Sequence, residues 1–79
     1  MYTSERINDT STCYHERIYF DDEVVAIIQD YYKPTNIGLM RMYHYVITSD
    51  HKCAQGFYTV SDAKAELFPL LDSQLLPTK

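Results

Sequence analysis

The sequence predicts an α+β domain: an antiparallel meander of three or four strands with one C-terminal amphipathic helix packed on a face. Three observations predict it. Short apolar and aromatic runs between turn-forming clusters extend from Tyr14 to Tyr58. A capping signal at Thr59 leads into an apolar stripe of helical period. The chain has 79 residues, 46% of them apolar and 23% charged, which suits one domain over 1–79 and is too apolar for disorder.

Residues 1–12 are polar and read as a flexible N-terminal arm. Tyr14 to Phe20 reads as a strand, with Tyr14, Ile18 and Phe20 on one face and His15, Arg17 and Tyr19 on the other. Asp21-Asp22 is a turn. Glu23 to Tyr32 is ambiguous. Its apolar pairs recur at helical spacing, with Pro34 as a stop, but its β-branched and aromatic residues favour a strand, and strand is preferred. Residues 33–38 carry Pro34 and Gly38 and form a loop. Leu39 to Thr48 and Cys53 to Tyr58 pair as a hairpin about Ser49-Asp50-His51-Lys52, with Gly56 marking a bulge or a close backbone approach. Thr59 caps a helix whose apolar stripe is Val60, Ala63, Leu67, Leu70 and Leu71. Pro69 should end or kink that helix near Phe68, leaving Leu70 to Leu76 as one more turn folded on the sheet.

The net charge of −4 and the singly scattered Lys and Arg argue against direct nucleic-acid binding. No apolar leader opens the chain, no run approaches a membrane span, and two distant cysteines make no disulfide scaffold, so the cytoplasm is expected. Eight tyrosines suit either a binding surface or the filling of a small core without Trp.

No constellation supports catalysis, cofactor use or resident metal. Ser49-Asp50-His51 are consecutive and diverge, whereas a triad converges from separate elements. Cys13-x-His15 and His51-x-Cys53 have the residue types of a zinc site, but a meander places them at opposite ends of the sheet. With the helix over Ile18 and Phe20, the opposite face is expected to show Arg17 and Tyr19 beside Arg41, Tyr43 and Tyr45, residue types found at interface hot spots. Asp21, Asp22 and Glu23 add an acidic turn that suits a basic groove on a partner.

Gly56-Phe57-Tyr58-Thr59-Val60-Ser61-Asp62-Ala63-Lys64-Ala65-Glu66-Leu67 resembles the last hairpin strand and capped helix of small phage- or prophage-encoded proteins, anti-CRISPR inhibitors among them. That resemblance covers about a dozen residues and implies a stoichiometric inhibitor of host defence. The expectation is therefore a non-enzymatic binder of a protein partner, such as a nucleoprotein complex, or of a second copy of itself. The alternatives are a nucleic-acid-binding module using the Tyr/Arg face and a small zinc-stabilised module.

Overall fold

The structure is a computed structural model that describes residues 1–75. It contains five strands and a helix: β1 (Tyr2–Asp9), β2 (Tyr14–Phe20), β3 (Glu23–Thr35), β4 (Gly38–Ile47), β5 (Cys53–Phe57) and α1 (Val60–Leu75). The strands form one antiparallel sheet in the order β1-β2-β3-β4-β5. The α+β meander is as expected, with five strands rather than three or four.

The extra strand is the expected arm. β1 pairs along its length with β2, from Tyr2 opposite Phe20 to Asp9 opposite Tyr14. Its exposed residues Thr3 to Asp9 give no apolar alternation, because an edge strand held by backbone hydrogen bonds needs none. Tyr2 anchors it, with its ring centroid 5.0 Å from those of Phe20 and Phe68.

The ambiguous segment is a strand of 13 residues. Its helix-like spacing arises from a bulge: the register against β2 shifts between Ile18 and Tyr19, so both Val25 and Ala26 turn into the core. Nor does Pro34 stop it. Thr48 N donates to Val25 O at 3.0 Å, so by alternation Ile27, Gln29, Tyr31 and Lys33 bond across to β4 while Pro34 faces outward. The N–H that proline lacks would have met no strand there.

The turns follow local chemistry. Asp21 and Asp22 take φ of 51° and 70°, the paired left-handed conformation of a two-residue hairpin turn. Gly56 is the bulge of β5, with φ of 98° and a register shift against β4. Thr59 caps α1 as expected, its Oγ1 accepting from Asp62 N at 3.0 Å. Pro69 lies inside α1, which runs on to Leu75. The carbonyl it frees is that of Ala65, and both residues sit on the exposed side, open to solvent. Leu76, the last residue of the expected extra turn, lies outside the described residues.

Leu67 and Leu71 of α1 are fully buried in one cluster with Ile18, Ala26, Ile28, Tyr45 and Ile47, and Ala63 is fully buried as well. This single layer of helix on sheet is the core. Among the described residues no helix is long and apolar enough to cross a membrane.

Candidate functional site: an uncovered face and a projecting ribbon

Sheet register assigns each residue to a face. The rows Ile18–Ala26–Ile47, Glu16–Ile28–Tyr45 and Tyr14–Asp30–Tyr43 lie under the helix side. The rows Arg17–Ile27–Val46–Cys53 and His15–Gln29–His44–Gln55 lie on the other side, which no helix covers. Continuing that face toward the hairpin tip, Tyr31 pairs with Met42 and stacks edgewise on His44 at 5.7 Å.

The expected Tyr/Arg surface is therefore split between two faces. Arg17 and Tyr19 do lie together on the uncovered side, tied to Glu5: the Tyr19 hydroxyl donates to its carboxylate at 2.9 Å, and Arg17 sits 3.9 Å away. Arg41, Tyr43 and Tyr45 lie on the helix side instead. Tyr45 is 1% exposed, and its hydroxyl donates to Glu66 at 3.0 Å. Tyr43 packs against the core and meets Tyr14 edge-on at 5.8 Å. The correction follows from Tyr45 standing opposite Ile28, whose face is the one α1 buries. A base-stacking platform built from Tyr19, Arg41, Tyr43 and Tyr45 does not exist on one face.

Arg41 has a different task. Its Nε donates to Asp30 at 3.1 Å, and its two terminal nitrogens donate to the carbonyls of Ser11 (3.3 Å) and Thr10 (2.9 Å). The guanidinium also lies 5.5 Å from the centre of the Tyr43 ring. One planar fork thus clamps the β1–β2 loop onto the base of the β3–β4 hairpin, a role a lysine point charge cannot fill.

Beyond that clamp the hairpin projects alone. β2 last meets β3 at His15–Gln29, and β5 last meets β4 at Tyr43–Phe57. Thirteen strand residues span about 43 Å, whereas the 16-residue helix covers about 24 Å. The molecule is accordingly elongated, 49 × 24 × 19 Å. The ribbon from Tyr31 to Met42 exposes a run of large apolar side chains: Ile37 at 96%, Leu39 at 71%, Tyr32 at 41% and Met40 at 38%. Neither Asn36 nor Ile37 adopts positive φ; Gly38, at 127°, takes up the turn's reversal and leaves Ile37 at the apex.

The outer edge of β4 in this ribbon is also open. Ile47 N donates to Lys52 O on the β5 side, so by alternation the backbone groups of Leu39 and Arg41 point the same way, past the end of β5. The sequence hid this arm because residues 33–38 carry Pro and Gly and read as a loop.

At the opposite end of the sheet Asp21, Asp22 and Glu23 are exposed, as the acidic-turn expectation requires. Asp21 takes the N-terminal amine at 3.2 Å. Beside them a cavity of about 260 Å³ opens between Val25, Ile47, Leu71 and Gln74.

One buried charge was not foreseen. Glu16 is fully buried, accepts from the Tyr14 hydroxyl and pairs with Lys64 Nζ at 2.9 Å. Burial alone would raise its carboxyl pKa; hydrogen bonds from Tyr14, Lys64 and Ser4 outweigh that and hold it below the ordinary 4.5. Its alternation with Tyr14 and Ile18 was a visible signal, since i and i+2 share a strand face. Cys13 and Cys53 are free and exposed, the first just before β2 and the second at the start of β5. No cluster of three or more metal-ligating side chains occurs among the described residues.

Compared with known proteins, the chain matches no family model, no curated protein and no solved structure.

Proposed function

We propose that this protein works by binding rather than by chemistry, with the β3–β4 ribbon as the arm that docks into an apolar cleft of a protein partner. The observation that carries this reading is the exposure of Ile37, Leu39, Tyr32 and Met40 on a ribbon whose base is fixed by the Arg41 clamp. Fully burying an Ile or Leu side chain contributes about 1.5–3 kcal/mol, so the tip alone supplies an anchor of hot-spot size. Because the clamp orders the ribbon before binding, little conformational entropy is lost on docking.

The exposed acidic turn at the far end suits a partner with a basic surface nearby, and it opposes nucleic acid as the direct ligand. A cytoplasmic inhibitor of host defence, of the anti-CRISPR kind, is one form this binder takes; its support is the resemblance at Gly56–Leu67. Affinity capture from the source cell, with the wild type and an Ile37→Asp/Leu39→Asp variant side by side, tests the reading. The expected result is a stoichiometric partner with the wild type, lost with the variant while far-UV circular dichroism is unchanged. Equal recovery by both proteins, or none by either, contradicts it.

A further inference from the structure

We propose that the uncovered sheet face is a self-association surface whose occupant is a second copy of this chain, packed face to face about a twofold axis. Charge distribution is the first argument. The chain carries a net −4, so two copies repel unless they meet on a face free of acid. Of its 11 acidic residues, the uncovered face presents only Glu5, already held by Arg17 and Tyr19. The others sit in turns, on α1 or on the helix side of the strands. The face poorest in acidic side chains is also the one without a helix, and its cations are Arg17, paired with Glu5, and Lys33 out on the ribbon.

Composition is the second argument. The centre of the face is Ile27, Gln29, Tyr31, Met42, His44 and Val46, with no charged side chain among them. Met42 is itself only 3% exposed, but the charge depletion of the half-buried Ile27, Gln29, Tyr31, His44 and Val46 around it, with Arg17 near the rim, is the composition of an interface core rather than of a solvated sheet. Size is the third. Five strands at about 4.8 Å spacing, about seven residues deep, with the ribbon added, present roughly 700 Å². A standard interface takes about 800 Å² from each partner. An isologous contact uses the same patch on both copies, and two such sheets stack about 10 Å apart.

Leu39 lies on the helix side and Ile37 in the turn, both outside the centre of this surface, so the tip variant separates the two ideas. Sedimentation velocity of the full chain from about 1 μM to 0.5 mM should show a species of twice the 9.3 kDa monomer. Gln29→Lys, at the centre of the face, should weaken dimerisation at least 100-fold, as should Gln55→Lys on its exposed margin, which serves if the first variant fails to fold. Ile37→Asp/Leu39→Asp should leave the dimer intact. A wild type that stays monomeric at 0.5 mM overturns the proposal, as does a dimer indifferent to both Lys variants or abolished by the tip variant.

Discussion

At the scale of single residues, polar side chains at the two ends of the core determine how stability responds to pH and substitution. Glu16 ionises more readily when folded than when unfolded, so its contribution is present above pH 4.5 and is lost as pH falls through the lower folded value. Lys64→Met leaves that buried carboxylate without its cation. The expected cost is about 2 kcal/mol, less than for a fully enclosed pair because Lys64 is 28% exposed. Glu16→Met/Lys64→Met should regain most of it in urea unfolding at pH 7. At the alkaline end, burial and hydrogen bonding to Asp72 and Glu66 push the Tyr2 and Tyr45 hydroxyls up to about 12. Their unfolded forms ionise near 10, so stability is complete below that value and falls as pH rises toward 12, readable by tyrosinate absorbance alongside circular dichroism. In the β2–β3 turn, Asp22 holds φ of 70° at a cost glycine does not bear; Asp22→Gly should stabilise the fold by about 1 kcal/mol, seen as a rise in Tm.

At the scale of elements, legibility followed the presence of side-chain signals. The helix cap was readable because Thr59 and the stripe through Ala63 and Leu67 are encoded locally. β1 was not, since its pairing is made by backbone groups that every sequence carries, and only Tyr2 reports it. The facing of β4 was misread for a related reason: Arg41, Tyr43 and Tyr45 look equally suited to solvent, and only their register against Asp30 and Ile28 tells that they face the helix. Proline misled in β3, where the ring points away from β4 and no hydrogen bond is required. In α1 the helix does not end at Pro69 but runs on to Leu75 with one helical bond missing on its exposed side. Pro69→Ala should then restore one helical bond and stabilise α1 by about 2 kcal/mol, measured by thermal unfolding. Arg41→Lys should loosen the β1–β2 loop and raise amide exchange at Ser11 to Cys13, with a loss of about 1 kcal/mol from the broken fork.

At the scale of the whole molecule, one helix cannot cover both faces of a sheet or the full length of its longest hairpin. What remains bare is a charge-depleted face and an apolar ribbon, while the acidic residues gather elsewhere. The candidate site was half legible: Arg17, Tyr19 and the acidic turn at Asp21, Asp22 and Glu23 are exposed or half-buried on the surface, whereas Tyr45 is core and Arg41 a clamp. The ribbon was invisible because its apolar residues lie around a proline and a glycine that read as a loop. Binding through that ribbon is most directly tested by placing a photo-crosslinking side chain at Ile37 and, as a control, at Asp62 on the exposed start of α1, followed by irradiation in the source cell. The expected result is one discrete heteromeric adduct from position 37 and none from position 62. No adduct from position 37, or the same adduct from both positions, would contradict it.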